Sequence, residues 1–236
     1  MGVRIVRPER KIYHIPGLGI ETREALASGA AWWEVAGKTC IAAYQAKGAA
    51  SYAASKVNLA NPGTYDATEG VAPTWDAATG WTFNGTDQYL NTGRQPGLTG
   101  TWICQFTDAT GGSLWGARTS DYRVNYVIPI TNDGGTLKVT YRCGYKDTGA
   151  WILVAPELTS GNLAASIGVG GFRNGVLDGI LGTPSYPLTI SVFLGAINLS
   201  GTAGIFFGGT IIAIANYNEG LSAPEVGALA TRMASL

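Results

Sequence analysis

From Cys40 onward the apolar positions recur every second residue. Leu137, Val139, Tyr141 and Cys143 alternate with Lys138, Thr140 and Arg142, which predicts a strand with one face in a core and the other in water. Trp102, Cys104 and Phe106 alternate with Ile103 and Gln105, giving a second strand with one mainly apolar face. The runs Ser191-Val-Phe-Leu-Gly-Ala and Thr210-Ile-Ile-Ala-Ile-Ala-Asn-Tyr do not alternate, so those strands should be covered on both faces or packed against another chain. Trp81-Thr-Phe-Asn-Gly-Thr-Asp-Gln-Tyr-Leu reads as two short strand pieces around an Asn84-Gly85 turn, a dipeptide that takes positive φ easily.

The period changes only near the end. Ser222 can cap, Pro224 suits a first turn and Glu225 stands three residues after Ser222, as a capping box requires. Val226, Leu229, Ala230 and Met233 then form one buried stripe, so a closing helix is expected over 222–234. Residues 1–38 lack clean alternation and carry Arg4, Arg7, Arg10 and Lys11 against Glu9; they read as an arm, with a short helix before Gly29. Trp32 and Trp33 at its end either pack on their own domain or seek a partner surface. Many short strands between turn signals, with no repeating helices, predict an all-β fold over 39–236: an antiparallel two-sheet sandwich with a short C-terminal helix.

Composition narrows the function classes. In 236 residues, 16 Lys+Arg balance 16 Asp+Glu, so no net field gathers nucleic acid or an anionic membrane. Charged residues are only 14% of the chain, which leaves a surface short of the groups that keep monomers apart and points to self-assembly or docking. Cys40, Cys104 and Cys143 lie far apart, and the single histidine, His14, has no metal-ligand spacing around it, so neither zinc nor a disulfide framework is expected. Asp87, Asp133 and Asp178 stand near glycines as turn aspartates do, and no metal or other cofactor is expected. The N-terminus shows no signal peptide and no myristoylation pattern, and the greasiest stretch, 204–217, is too short to cross a bilayer.

Three blocks resemble a known family. The Gly80-to-Leu90 strand is similar to the "F-(D/N)-G-x-x-(D/Q)-Y-(L/V)" strand of laminin G-like domains in the concanavalin A-like lectin/glucanase superfamily. Gly171-Phe-Arg-Asn-Gly-Val resembles that family's "Y-V-N-G" hairpin, and Phe207 to Val226 is similar to its "F-x-G-x-I-x-x-(V/L)-x-(I/V)-Y-N-x-x-L-(S/T)-x-x-E-(I/V)" block. The resemblance covers roughly residues 40–236 and implies a jelly-roll sandwich whose concave face or rim loops bind carbohydrate or protein. The glycine-rich stretch Gln45 to Ala67 also resembles modules of phage structural proteins.

The enzymes of that superfamily cleave β-glucans with an E-x-D-x-x-E strand, because glycosidic cleavage needs two carboxylates facing each other across the bond. No such strand occurs here; Glu21 with Glu24 and Glu219 with Glu225 lie in or beside helical segments. A His-dependent nucleophile would need His14, no G-x-S-x-G elbow is present, and Gly168-Val-Gly-Gly-Phe-Arg breaks a phosphate-binding spacing. A non-enzymatic role follows.

Sugar binding needs less: ring faces beside hydroxyl-bonding side chains. Trp115, Arg118, Asp121, Tyr122, Asn125 and Tyr126, followed by Tyr145, Asp147 and Trp151, supply both, although Trp115, Tyr126 and Trp151 also fit half-buried strand residues. The expected function is a structural or adhesive virion protein, of a phage capsid or tail, made in the host cytoplasm. Its arm (Arg4, Arg7, Arg10, Lys11, Trp32, Trp33) would attach it to other virion proteins or to itself as a homo-oligomer, and its sandwich would meet a host-surface glycan. The alternative is a soluble carbohydrate-binding module of a cellular system, with a glycoside hydrolase as the weakest reading. Neither nucleic acid nor membrane insertion is expected.

Overall fold

The structure is a computed structural model and describes residues 30–145, 150–154 and 156–236. The chain divides into the units Met1–Ala31 and Trp32–Leu236, and the second is the sandwich. Arg4, Arg7, Arg10, Lys11, His14 and the helix expected before Gly29 lie outside the described residues, as does Asp147.

In chain order the first elements are β1 (Cys40–Gln45), the one-turn helix α1 (Tyr52–Ser55), β2 (Thr68–Glu69), β3 (Thr74–Asp76), β4 (Gly80–Asn84) and β5 (Leu90–Asn91). The long central strands follow: β6 (Gly100–Gly111), β7 (Trp115–Arg118), β8 (Arg123–Asp133), β9 (Thr136–Tyr145), β10 (Ala150–Val154) and β11 (Gly161–Ile167). The chain closes with β12 (Gly170–Arg173), β13 (Val176–Gly179), β14 (Phe193–Leu194), β15 (Ile197–Leu199), β16 (Thr202–Gly204), β17 (Gly208–Tyr217) and α2 (Ala223–Met233).

These strands make two sheets. One has eight strands in the order β13-β12-β11-β6-β17-β4-β3, with β1 paired to β17 beyond the end of β4. The other has nine, in the order β10-β9-β8-β7-β14-β5-β2, with β15 beside β7 and β16 beside β15. Among the described residues all pairings between strands are antiparallel except the short one between β15 and β7. The fold is the expected antiparallel two-sheet sandwich with one closing helix.

Alternation explains the core. Trp102, Cys104 and Phe106 of β6 face Trp115, Val127, Val139, Tyr141 and Cys143 of the other sheet, all buried. Trp102 and Trp115 stack across the sandwich at 6.4 Å and 23°. The buried strand β17 has the inter-sheet core on one side. On the other, Ala213, Ala215 and Tyr217 meet Val226, Leu229, Ala230 and Met233 of α2, so its unbroken apolar run is covered on both faces by its own chain. The capping box is present: the Glu225 carboxylate accepts from the Ser222 backbone N–H at 2.7 Å and from its hydroxyl at 2.8 Å.

Four expectations change. The two strand pieces around Asn84-Gly85 are not a hairpin, because β4 belongs to the eight-stranded sheet and β5 to the nine-stranded one. The Asn84 side chain instead turns the chain between layers, its Oδ1 accepting from Thr86 N at 2.9 Å and its Nδ2 donating to Asp87 Oδ1 at 2.8 Å. Leu137 stands exposed at the strand end, whereas Thr140, expected in water, is buried and bonded to Thr131. Ser191–Ala196 forms only the two-residue strand β14. Finally, the arm as drawn ends too late. Trp32 is buried against the α2 cluster, the Tyr217 hydroxyl donates to the Trp33 carbonyl, and Arg232 donates to the Glu34 carbonyl at 2.6 Å. Trp32 and Trp33 are therefore part of the sandwich rather than free anchors.

Candidate functional site

The expected sugar-contacting residues separate according to strand parity. Trp115 and Arg118 are three apart on β7, so their side chains leave opposite faces. Trp115 is 0% exposed in the core and cannot offer a ring face to a ligand. Asn125 also points inward, buried at the position paired with Ala117 and Cys143. Tyr126 lies on the outer face in a small apolar cluster with Val124 and Ile197, its hydroxyl accepting from Arg142 at 3.3 Å. Trp151 pairs in register with Arg142, and its side chain is outside the described residues.

What the fold does bring together is the β7–β8 turn. Thr119 N–H donates to the Arg123 carbonyl and Arg123 N–H to the Thr119 hydroxyl, each at 3.0 Å, which pins the four-residue reversal at its base. Tyr122 sits in it at φ 64, a left-handed conformation that throws its ring outward, 54% exposed. The Arg118 guanidinium lies over that ring at 5.8 Å. Asp121 accepts from the Thr119 hydroxyl and pairs with Arg123 at 2.9 Å. These two contacts, the Thr119 bond first, hold its carboxyl below the usual carboxylate range.

A second wall comes from far along the chain. The β15–β16 turn, Ser200 (φ 55) and Gly201, docks through the Ser200 N–H on the Arg118 carbonyl at 3.0 Å. Its geometry is fixed by Asn198 Oδ1, which accepts from Gly201 N–H at 2.7 Å. Arg118, Thr119, Ser120, Tyr122, Leu199 and Ser200 enclose an open cleft of about 230 Å³. Beside it Arg123 reaches over Tyr186 at 5.5 Å and donates to the Pro187 carbonyl at 3.3 Å, while Tyr145 meets Tyr186 edge-on at 5.3 Å. Tyr186 is 51% exposed.

Arg118, Asp121, Tyr122 and Tyr145 thus share one rim, and Trp115, Asn125 and Tyr126 do not. Ser120, Arg123, Tyr186, Leu199 and Ser200 complete the rim without having been singled out in the sequence. For Tyr186 a signal existed: a lone aromatic between Pro184 and Pro187 in a loop has no strand to bury it. For Ser200, 82 positions after Arg118, only the parallel β7–β15 pairing supplies the neighbour.

Chemically, the cleft offers a cation, hydroxyls and a ring, and none of its six lining residues is a carboxylate. Among the described residues no three His, Cys, Asp or Glu side chains converge on a metal position. Asp87, Asp133 and Asp178 are each engaged by the chain itself, through Asn84, Lys138 and Arg173. The three thiols are free, and burial pushes Cys143 up to about 11 and Cys40 up to about 12, with Cys104 also raised well above its usual value. Burial thus disfavours the thiolate form at all three. Among the described residues no helix is long and apolar enough to cross a membrane.

The architecture defines a class, the antiparallel two-sheet β-sandwich, here with a polar, aromatic rim. No protein-family model matches the sequence, and no curated protein is similar to it in sequence. Among solved structures, the chain is similar to domain 4 of AbnA, a GH43 extracellular arabinanase from Geobacillus stearothermophilus, in complex with arabinotriose. That likeness has a TM-score of 0.56 at 16% identity and covers 82% of this chain and 98% of that one, and it is a likeness of fold. The CBM40 of the Ruminococcus gnavus IT-sialidase is matched at a TM-score of 0.42 and 18% identity, over 63% of this chain and 96% of that one.

Proposed function

We propose that the sandwich is a non-enzymatic carbohydrate-binding module and that the rim cleft between the β7–β8 and β15–β16 turns is its binding site. The observation that carries this reading is Arg118 lying over the exposed Tyr122 ring with the hydroxyls of Ser120 and Ser200 around it. A sugar presents C–H faces to a ring and hydroxyls to a guanidinium, and this cleft holds both kinds of partner on backbone pinned by hydrogen bonds. The likeness of fold to a domain solved with arabinotriose supports the same reading. Glycosidic cleavage would need two opposed carboxylates, and the cleft supplies none.

A glycan array tests it, with Arg118→Ala and Tyr122→Ala as controls. Both side chains are on the rim, so both variants keep the wild-type melting temperature and lose about tenfold or more in affinity for the glycan the wild type retains, ~1.4 kcal/mol. Retention of a glycan undiminished in both variants removes the cleft from the reading, and an array on which the wild type binds nothing removes the reading itself. The narrower placement on a phage particle, with an attaching arm and self-association, rests on the sequence resemblance and the low charge. Mass spectrometry of purified particles tests the placement, and sedimentation tests the association.

A further inference from the structure

β13 ends the eight-stranded sheet, and among the described residues its strand partner is β12 alone. The hairpin closes with Arg173 opposite Val176, so the N–H and C=O of Val176 point to β12 and those of Leu177 point away from it, along a free edge. Among the described residues no backbone hydrogen bond from outside β12 reaches positions 176–180. The side chains along that edge are apolar: Val176 and Ile180 are each 69% exposed and Leu177 43%. No other large apolar side chain among the described residues is as exposed as the first two.

The register places the edge beside α2. Leu177 stands opposite Phe172, a member of the α2 cluster, and Gly179 opposite Gly171, so β13 holds one residue more than β12 between them. That extra residue, Asp178, turns inward, where its carboxylate accepts from the Tyr141 hydroxyl at 2.8 Å and pairs with Arg173 at 2.9 Å. The one charge on the strand is therefore neutralised inside the sandwich. The β12–β13 turn comes so near α2 that a Cβ on Gly175 would stand 3.4 Å from that of Ala230. On its wet side α2 shows Pro224, Ala228 and Thr231, all exposed, where a surface helix ordinarily carries charge. Its two charged residues are engaged, Glu225 with Lys38 and Arg232 with the Glu34 carbonyl.

The opposite end of the same sheet is guarded in the usual way. β3 ends in the exposed Asp76, and Trp75 folds in to donate to the Ala46 carbonyl at 2.8 Å. Single exposed apolar residues are normal on a surface; a free backbone edge, two exposed aliphatic side chains and an uncharged helix side in one place mark an interface. Charge and symmetry decide its occupant. None of these residues carries an unpaired charge, so the surface meets its own copy without like-charge repulsion. An antiparallel edge turned about a two-fold axis also sets N–H against C=O and C=O against N–H, which makes it complementary to itself.

We propose that a second copy of this chain pairs along β13, the two strands antiparallel about a two-fold axis perpendicular to the sheet. The two eight-stranded sheets then continue into one, and both α2 helices lie on the same face of it, one on each side of the joint. The proposal gives a place to the self-association named above, on which it rests, and is independent of the rim cleft. β13 is four residues long, so the contact is small and the dimer weak, with a dissociation constant on the order of 10–100 µM.

Sedimentation equilibrium of the full chain between about 1 µM and 1 mM tests it, together with hydrogen exchange read by mass spectrometry at the two ends of that range. The wild type passes from monomer to dimer, and the backbone of 176–180 exchanges about tenfold more slowly at the high end. The double variant Leu177→Lys, Ile180→Lys stays a monomer throughout and keeps the melting temperature of the dilute wild type, because both positions face water in the single copy. Arg118→Ala and Tyr122→Ala dimerise as the wild type does. A wild type that is monomeric at the highest concentration overturns the self-association and this interface together. A dimer that survives the double lysine variant, or exchange at 176–180 that is the same at both concentrations, overturns the interface alone. Because the exchange is read on the wild-type chain, the outcome stands whether or not the variant folds.

Discussion

Trp115 illustrates how much the direction of one side chain decides. As a ring on the surface it would have been the obvious sugar platform; stacked on Trp102 it is instead part of the seal between the sheets. Trp115→Ala is expected to lower unfolding free energy by about 3–5 kcal/mol, the usual cost of removing a buried large aromatic. Tyr122→Ala should change it by no more than about 0.5 kcal/mol. Urea denaturation of the two variants reads the difference, and equal losses would contradict the assignment of faces. The parity that separates Trp115 from Arg118 was legible in the sequence, since odd spacing on one strand means opposite faces. Which face is inside was not, because that depends on the partner sheet. The thiols make a similar point. All three are raised by burial, so at neutral pH a thiol reagent should modify the native protein far more slowly than the urea-unfolded one, in which all three thiols titrate near 8.5. Rapid native labelling of Cys104 or Cys143 would sink that picture.

At the scale of elements, α2 is where local grammar and tertiary structure agree. Its stripe, its capping box and its limits were readable within a residue at each end, because every signal lies within four residues of its partner. For Glu225, burial alone would raise the carboxyl, but the hydrogen bonds from Ser222 and the nearby Lys38 together hold it below the usual range. A depressed pKa means that its contribution is full above the unfolded value and lost as pH falls through the folded one. The wild-type melting temperature should therefore drop between about pH 5 and pH 3, and Glu225→Gln should start lower at pH 7 and drop less over that window. Parallel curves for the two proteins would rule the linkage out. The β12–β13 turn, Asn174 (φ 48) and Gly175 (φ 80), was legible as a hairpin through its resemblance to the family's Y-V-N-G block. Its docking was not: a Cβ on Gly175 would come within 2.9 Å of Gly227 Cα on α2, 52 residues away. The Asn84-Gly85 pair carries the same dipeptide and does something else, because β5 has better partners in β14 and β2 than in β4.

Over the whole molecule, the boundary of the sandwich is the clearest revision. Residues 32–38 strap α2 through Trp32, the Glu34 carbonyl on Arg232 and the Lys38–Glu225 pair, and they hold the end of β17 and the loop after it through the Trp33 carbonyl on Tyr217 and the Lys38–Glu219 pair. Burying a large apolar side chain is worth about 1.5–3 kcal/mol, and 1 kcal/mol moves the melting temperature of a domain this size by about 2–4 °C. A chain beginning at Thr39 should consequently melt about 5 °C or more below one beginning at Ala30, as calorimetry will show; coincident transitions would return Trp32 and Trp33 to the arm. The amino-acid order by itself determined the fold class, the strand periods, the terminal helix, and the absence of the familiar catalytic spacings, since these depend on neighbours a few positions apart. Only the tertiary structure decided which rings face water, that the rim joins Arg118 to Ser200, and that the free edge of β13 lies beside α2. Those are contacts between distant segments, set by the register and stacking of whole sheets, and no short-range pattern encodes them.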